Sequence, residues 1–281
     1  MKRPHPISAE VAGAWRRKLL QSILEPATVR LLRTAKILPG ARVADFGCGE
    51  GAVALLLGRM VGPMGRVYAV DRCEASLETL RVKAHAAGIS NISLVHGDID
   101  DALVGIPAID VAYSRFFLMH LSCPRSVLAH IRGKLLEGGR LVVEEPVIVE
   151  TAEYPRLGLW DSPIALYEAL CRWTSTNPNF GREMLMEASA AGFDIDDNFR
   201  SQPDLSPELA REYIDCTLRA SKAVYIRAGV IDEFSFDRLL SRIENMDVSR
   251  IERCSFHTVV QAICSPTVTQ KNRQKIPWRQ Q

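Results

Sequence analysis

From residue 42 onward, short apolar runs alternate with stretches in which apolar residues recur at helical spacing. The apolar runs predict five strands, at 42–46, 67–70, 91–96, 109–113 and 140–144. The stretches between them predict helices at 51–61, 74–87 and 125–136. Strands that alternate with helices are typical of a parallel sheet, because parallel neighbours need a crossover connection. The pattern therefore predicts an α/β fold.

After residue 146 the pattern changes, and prolines and tryptophans become frequent. Helices are predicted at 164–173, 182–191, 206–228 and 234–246, and strands at 193–201 and 255–264. Around the strand at 193–201, the segments 147–180 and 203–250 are predicted to be insertions. We predict a main domain at 41–264. Residues 1–40 would be a helical extension, broken at Pro26, and 265–281 a polar basic tail.

Composition narrows the class of protein. Of the 281 residues, 47% are hydrophobic and 24% are charged, a balance that excludes a disordered or fibrous chain. No apolar run approaches the roughly 18 residues of a membrane span. The seven cysteines include no Cys-x-x-Cys pair. We therefore expect neither a disulfide framework nor a metal site, and we expect a reducing, cytoplasmic location.

Charge is unevenly distributed although the net charge is only +2. The first 40 residues carry eight Lys or Arg and two Asp or Glu, whereas the last 17 carry four basic residues and no acid. Basic ends could contact RNA, acidic substrates or a neighbouring subunit, but solvated ends are commoner. A nucleic-acid partner is thus not expected, while the N-terminal helices and tail are candidate contacts for a homo-oligomer.

The most informative stretch is 45–51, where a predicted strand ends in Asp45 and continues through Gly47, Gly49 and Gly51 into a helix. Glycines at such a turn let the backbone bend sharply and let a ligand approach closely. The free amides at the helix N-terminus suit a carboxylate or a phosphate. This turn is therefore a candidate ligand-binding loop.

Polar residues also follow the next three predicted strands. Asp71 ends the second strand, Asp98 follows the third, and Ser114 and Arg115 follow the fourth. Ligands of open α/β sheets bind outside the carboxyl ends of the strands. A carboxylate at the position of Asp71 can accept both hydrogen bonds of a ribose diol. Four consecutive polar strand ends predict a single binding site at one edge of the sheet.

With these motifs the sequence resembles class I S-adenosylmethionine-dependent methyltransferases of the ubiquinone/menaquinone methyltransferase-like group, which act on small molecules. The matching segments are 45–51, Asp71, 97–98 and 135–141, and the resemblance covers roughly residues 25–146. It implies a Rossmann-like, seven-stranded, mostly parallel sheet with an antiparallel last strand. Helices would cover both faces, and helical insertions would cap the active site. It also implies S-adenosyl-L-methionine as cofactor.

The resemblance further implies a set of cofactor-binding residues. They are Asp45, Gly47, Cys48, Gly49 and Gly51 for the methionine moiety, Asp71 and Arg72 for the ribose, Asp98 and Ile99 for the adenine, and Ser114 and Arg115 near the sulfonium. Arg115 could instead anchor its loop by pairing with an acid. Gln21, on the N-terminal helix, could cover the cofactor or simply pack against its neighbours.

Two residues are candidate catalytic bases. His120 lies beyond the fourth strand, in a loop expected to face the acceptor, where a near-neutral pKa would suit proton transfer. The alternative is a histidine that hydrogen-bonds its own loop or caps the next helix. Glu145, at the end of the fifth strand, is the second candidate.

The main alternative is a nicotinamide-binding domain, whose fingerprint is Gly-x-Gly-x-x-Gly, whereas this chain has Gly-x-Gly-x-Gly after an acid. We therefore expect a methyltransferase that moves a methyl group in line to an O, N or C atom of a small, aromatic or hydrophobic acceptor. A methyltransferase acting on RNA or protein, and a cofactor-binding protein without turnover, remain as alternatives.

Overall fold

The computed structural model describes residues 11–267 of the 281-residue chain. The helices in this range are α1 (Val11–Thr34), α2 (Ala52–Val61), α3 (Glu74–Ala86), α4 (Ile99–Gly105), α5 (Pro124–Lys134), α6 (Asp161–Thr174), α7 (Met184–Ala190), α8 (Pro207–Arg227) and α9 (Glu233–Glu244). The strands are β1 (Arg42–Phe46), β2 (Arg66–Asp71), β3 (Ile92–His96), β4 (Ile109–Arg115), β5 (Leu135–Val147), β6 (Ala152–Tyr154), β7 (Phe193–Ser201), β8 (Asp204–Leu205), β9 (Arg253–Ser255) and β10 (Thr258–Pro266).

The central sheet has seven strands in the order β3-β2-β1-β4-β5-β10-β7. Strands β1 to β5 pair in parallel, whereas β10 is antiparallel to both of its neighbours. This arrangement confirms the predicted α/β fold with an antiparallel last strand. Because the chain winds outward from β1 in both directions, the carboxyl ends of β1 and β4 flank the point where ligands of such sheets bind.

Both faces of the sheet are buried, and successive residues along one strand serve opposite faces. In β5, Leu141 and Val143 belong to one hydrophobic cluster, whereas Val142 belongs to the cluster on the other face. The helices α4, α5 and α7 supply the first cluster, and α2 and α3 supply the second. This double coverage explains why the strands read as continuous apolar runs.

A third hydrophobic cluster joins α1, α6, α8 and α9, which we call the helical layer. The layer also holds a small antiparallel sheet in the order β6-β9-β8. The residues of the predicted insertions thus come together with α1 and share one core. The helical layer meets the carboxyl-end edge of the sheet at Phe116, which directly follows β4 and packs against the core of the layer.

Helix α1 corrects one expectation, because it is continuous through Pro26 where a break was predicted. Its side chains are buried on both sides of the proline, with Leu24 in the core of the helical layer and Leu31 and Leu32 in a core of the sheet. Tertiary packing therefore outweighs the local cost of the proline. The first ten residues of the predicted extension lie outside the described range.

Several boundaries also differ from those predicted. Strand β5 begins at Leu135 rather than at residue 140, and the strand expected at 255–264 is divided between β9 and β10. A 3-10 turn (Phe180–Arg182) precedes the shorter helix α7. The predicted tail overlaps the end of β10, and its part after residue 267 lies outside the described range. Among the described residues, no helix is long and apolar enough to cross a membrane.

Candidate functional site

The loop after β1 places three glycines at positive φ, with values of 72° at Gly47, 52° at Gly49 and 79° at Gly51. A Cβ atom on Gly51 would lie 2.1 Å from a Leu80 methyl, and one on Gly47 would lie 2.7 Å from the Phe117 ring. A Cβ on Gly49 would meet nothing within 4 Å. Packing therefore requires two of the glycines, whereas the middle one faces open space that a ligand could fill.

Asp71, at the end of β2, holds this loop. Its Oδ2 accepts a hydrogen bond of 2.8 Å from the Gly49 amide, and its Oδ1 accepts one of 2.8 Å from the Cys73 amide. A carboxylate has about four acceptor sites, so capacity remains for a diol. The neighbouring Arg72 has an exposed side chain, and its carbonyl oxygen lies 3.2 Å from the His96 Nε2.

Asp45, at the end of β1, is buried, and its Oδ2 has no hydrogen-bond partner among residues 11–267. Burial raises its pKa to about 7, with a smaller contribution from Asp71, while Arg115 opposes the rise. The Ser114 hydroxyl beside β1 is likewise buried without a partner in the described part of the chain. Unpartnered buried oxygens are costly, so this edge fits a ligand that brings donors or positive charge.

The remaining cofactor candidates lie at the same edge of the sheet. Asp98 and Ile99 are half-buried at the start of α4, directly after β3. The Gly97 amide donates a 3.2 Å hydrogen bond to the Asp71 carbonyl, which joins the ends of β2 and β3. Cys48 is half-buried in the glycine loop, and burial raises the pKa of its thiol well above the usual range.

Gln21 and Arg115 contact each other rather than acting separately. The Arg115 guanidinium donates hydrogen bonds of 2.5 Å to the Gln21 Oε1 and 3.1 Å to the Thr28 hydroxyl. Both partners lie on α1, so Arg115 ties that helix to the end of β4. The pairing of Arg115 with an acid, one of the two expectations, is not what these hydrogen bonds show, because the acceptors are an amide and a hydroxyl. The positive charge of the guanidinium nevertheless lowers the pKa of Asp45.

A buried polar network around Glu144 was not predicted. Its carboxylate accepts hydrogen bonds from the Tyr113 hydroxyl at 2.5 Å, the Thr28 hydroxyl at 2.9 Å and the Gln261 amide at 2.6 Å. These partners come from α1, β4 and β10, so the network joins three elements beneath the site. Two consecutive acids beside a predicted apolar run were the available signal, since charged residues are rarely buried without partners.

Glu145 is fully buried, and its carboxylate accepts hydrogen bonds from the backbone amides of Phe117, Leu118 and Met119 at 2.7–3.2 Å. These amides belong to the loop after β4 and its 3-10 turn (Leu118–His120). Burial raises the pKa of Glu145 to about 8, although the amides favour the ionised form. With its oxygens occupied in this way, Glu145 positions the loop that carries His120.

Between this loop and the helical layer lies a cavity of about 280 Å³. It extends from the glycine loop to the aromatic side chains of α6 and α8, and its lining includes Gly47, Phe116, His120, Trp160, Tyr167, Tyr213, Tyr225 and His257. His120, the first catalytic candidate, therefore borders a space that also reaches the cofactor loop. Larger surface pockets lie elsewhere, but only this one among those of the described residues combines the glycine loop with the helical layer.

His257 was missed by the sequence reasoning. It is buried, its ring centroid lies 3.8 Å from that of Phe256 with the two ring planes tilted by 36°, and its Nε2 has no hydrogen-bond partner within residues 11–267. Burial, aided by the Arg16 charge, lowers its pKa to about 3, so the ring is neutral near pH 7. The sequence reasoning placed it inside a continuous strand at 255–264 and therefore did not consider it as a site residue. In the structure it lies in the break between β9 and β10.

Helix α1 closes the site from above the glycine loop. The Arg17 guanidinium lies 2.5 Å from the Glu50 carboxylate, which also pairs with Lys83 at 2.9 Å. These contacts hold α1 against the loop and against α3. No group of three or more His, Cys, Asp or Glu among the described residues is arranged to hold a metal ion.

A family model described as a methyltransferase domain matches residues 37–196, which is more than half of the chain. The chain belongs to this methyltransferase family. Both the family and the observed topology confirm the resemblance to class I S-adenosylmethionine-dependent methyltransferases and exclude the nicotinamide-binding alternative as the family of this chain.

Two curated relatives are similar to this chain over part of its length. The chain is 32% identical over 124 residues to aklanonic acid methyltransferase DauC of Streptomyces sp. (strain C5), covering 43% of this chain and 56% of DauC. It is 31% identical over 139 residues to the protein-L-isoaspartate O-methyltransferase of Methanothermobacter thermautotrophicus, and the match covers 46% of this chain and 61% of that protein. The chain thus spans about three fifths of the length of these curated relatives.

Among solved structures, a geranyl diphosphate methyltransferase in complex with SAM superposes with a TM-score of 0.52. The alignment covers 91% of each chain at 16% identity, a level at which the similarity shows the fold.

Proposed function

We propose that this protein transfers a methyl group from S-adenosylmethionine to a small molecule bound in the cavity beneath the helical layer. The observation that carries this proposal is the continuity of that cavity with the glycine loop, since Gly47 and His120 both line it. An acceptor there would lie next to the loop that holds the cofactor. Such proximity is the main requirement for a transfer that needs no covalent enzyme intermediate.

The residues at the strand ends fit this cofactor. Asp71 retains acceptor capacity for the ribose diol, and the open space at Gly49 admits close approach of the ligand. The unpartnered Asp45 carboxylate suits the amino group of the methionine moiety, while Asp98 and Ile99 would contact the adenine. When bound, S-adenosylmethionine supplies an electrophilic methyl group on a sulfonium, which is a good leaving group.

The chain's own contribution is to position the acceptor, exclude water and receive a proton where one must leave. Helices α1, α6 and α8 cover the cavity, and the pair formed by Arg17 and Glu50 keeps α1 closed over the loop. His120 is the candidate base for an acceptor hydroxyl or amine. Glu145 acts as a positioning residue, because three backbone amides already occupy its carboxylate.

The size and enclosure of the cavity favour a small molecule over RNA or protein. A volume of about 280 Å³ is close to the lower end of small-molecule sites, roughly 300–1,000 Å³. One of the relatives is named for a small acid and another for a protein residue, so the preference for a small molecule rests on the cavity. A cytoplasmic location, and a homo-oligomer that uses the N-terminal helices or the tail, remain predictions.

The proposal is tested by incubating the purified protein with methyl-labelled S-adenosylmethionine and a metabolite extract, followed by mass identification of the labelled product. We expect a labelled small molecule that is absent when heat-inactivated protein is used. Label in RNA or protein alone would overturn the choice of acceptor. Binding of S-adenosylhomocysteine without label in any fraction would favour a cofactor-binding protein without turnover.

A further inference from the structure

Arg16 of α1 is a positively charged side chain in the wall of a cavity whose described lining consists mostly of apolar and aromatic residues. Its Nε donates a 3.2 Å hydrogen bond to the Thr217 hydroxyl, and its Nη2 donates one of 3.2 Å to the Tyr213 hydroxyl. The guanidinium carbon also lies 5.5 Å from the centroid of the Tyr213 ring. Two residues of α8 therefore fix its position, and both are neutral.

No carboxylate from the described residues neutralises this charge. The part of the cavity wall that belongs to residues 11–267 contains no Asp or Glu. The other arginine of the wall, Arg17, is already paired with Glu50 at 2.5 Å. A half-buried cation without a counterion is unfavourable, so the cavity fits an occupant that brings a negative charge.

The guanidinium has donors left for that occupant. Of its five N–H groups, the two hydroxyls use two, and the planar fork of those that remain matches a carboxylate. The nearby His257 supplies no second positive charge, because burial and the Arg16 charge keep its pKa near 3. Arg16 is thus, within the described lining, the cation best placed to receive an anionic group in the cavity.

The other residues that line the cavity indicate the shape and polarity of the ligand outside its charged group. Phe116, Trp160, Tyr167 and Tyr225 present flat apolar surfaces. Aromatic side chains of this kind stack on flat ligands and contribute most of their burial energy. We propose that the cavity selects a flat, apolar acceptor that carries a carboxylate, and that Arg16, held by Tyr213 and Thr217, binds this carboxylate. This inference rests on the proposed function only in taking the occupant to be the methyl acceptor.

The test compares two probes with the same ring system and nearly the same shape, the anion 2-naphthoate and the neutral 2-naphthamide, in which an NH₂ group replaces one carboxylate oxygen. Calorimetry is done on the full-length protein with S-adenosylhomocysteine present. We expect the native protein to bind the carboxylate at least tenfold more tightly than the amide. Arg16→Met should weaken 2-naphthoate binding by about tenfold to a hundredfold, as expected for a lost charge-assisted hydrogen bond, and should leave 2-naphthamide binding nearly unchanged.

Lys18→Met is the matched control, because Lys18 lies on the same helix with an exposed side chain outside the cavity wall. It should not change the preference for 2-naphthoate. Tyr213→Phe keeps the charge of Arg16 but removes a hydroxyl that orients it, and should cost a few-fold in carboxylate affinity.

The outcomes separate this inference from the proposed function. Equal binding of the two probes, no binding of 2-naphthoate, or equal losses in Arg16→Met and Lys18→Met would overturn the role of Arg16. Binding of S-adenosylhomocysteine is measured separately in each variant. Its absence from the native protein would contradict the proposed function, whatever the probes show.

Discussion

At the scale of single residues, the glycine loop offers a comparison between two positions that both have a positive φ, 52° at Gly49 and 79° at Gly51. Gly49→Ala places a methyl group in open space, so its stability cost should be limited to roughly 1–2 kcal/mol for positive φ. The same methyl group intrudes where the cofactor is expected. We predict that S-adenosylhomocysteine affinity, measured by calorimetry, falls at least tenfold in this variant.

Gly51→Ala is the counterpart, because its new methyl group would lie 2.1 Å from a Leu80 methyl rather than in open space. Its main effect should be a larger loss of unfolding free energy, since a buried overlap forces the core to shift. Urea unfolding of both variants measures these two losses of unfolding free energy. Equal stability losses with unchanged affinity in both would contradict the view that Gly49 faces the ligand.

Asp71 makes a second prediction at this scale. Asp71→Ala removes the proposed ribose acceptor together with the hydrogen bonds to the Gly49 and Cys73 amides. We expect S-adenosylhomocysteine affinity to fall by up to a few hundredfold, since both the contact and the loop geometry are lost. Asp197→Ala, at an exposed site on β7, is the control. Unchanged affinity in Asp71→Ala would remove the ribose assignment.

At the scale of elements, the loop after β4 depends on one buried carboxylate. Glu145→Gln replaces an acceptor oxygen with an NH₂ group that cannot accept from the facing amide, so at least one buried N–H group loses its partner. We predict faster hydrogen exchange at Leu118 and Met119 and a loss of roughly 1–3 kcal/mol in unfolding free energy. Methyl transfer should fall more than cofactor affinity.

Glu150→Gln is the matched control for this change, because Glu150 follows the same strand but pairs with Arg200 and Arg182 at the surface. It should leave exchange in the loop after β4 unaltered. A Glu145→Gln protein with native exchange in that loop would show that the carboxylate does not hold it.

The helices and strands also show which parts of the fold could be predicted from the sequence. Strands β1, β2 and β3 were predictable because a short apolar run ends there at Gly47, Asp71 and His96, respectively. The continuity of α1 through Pro26 was not, because the packing of Leu24 and Leu31 on two different cores is a tertiary effect. Strands β6, β8 and β9 have only two or three residues each, too few to show any periodicity.

The proposed cofactor site at the ends of the strands and the proposed acceptor cavity also differ in how far they could be predicted from the sequence. Apart from Gln21 on α1, the cofactor candidates lie at or directly after the strands β1 to β4, so local motifs suffice to predict them. The cavity instead combines Arg16 of α1, Tyr213 of α8 and His257 of the β9–β10 break, which lie far apart in the sequence. No local pattern links such residues, and only the packing of the helical layer brings them together.

At the scale of the whole molecule, three buried ionisable groups decide how stability depends on pH. Burial raises the pKa of Asp45 from 3.8 to about 7 and that of Glu145 from 4.5 to about 8. Each raised pKa contributes stability that is present at low pH and lost as pH rises through the folded value. His257 acts in the opposite direction, because its pKa falls from 6.5 to about 3, and its contribution is complete above pH 6.5.

The directions of these three pKa shifts predict that the free energy of unfolding decreases as the pH rises above 6.5. Between about pH 4.5 and 6.5 the gain from His257 offsets the loss from only one of the two acids, and between pH 6.5 and 8.5 only the losses remain. The unfolding free energy, measured with urea across that range, should drop by up to about 3 kcal/mol, since one pKa unit is worth about 1.4 kcal/mol. A flat or rising profile there would show that the two carboxyls ionise in the folded protein at ordinary pH.

Asp45→Asn connects this profile to the proposed function. The neutral amide avoids the cost of burying an ionised carboxyl, so at pH 8 the variant should be more stable than the native protein, by at most about 4 kcal/mol. It should also bind S-adenosylhomocysteine more weakly, because the unpartnered oxygen that suits the ligand's amino group is lost. Residues kept for binding at the expense of stability behave in this way. A variant that is less stable at pH 8 and binds normally would identify Asp45 as a structural residue.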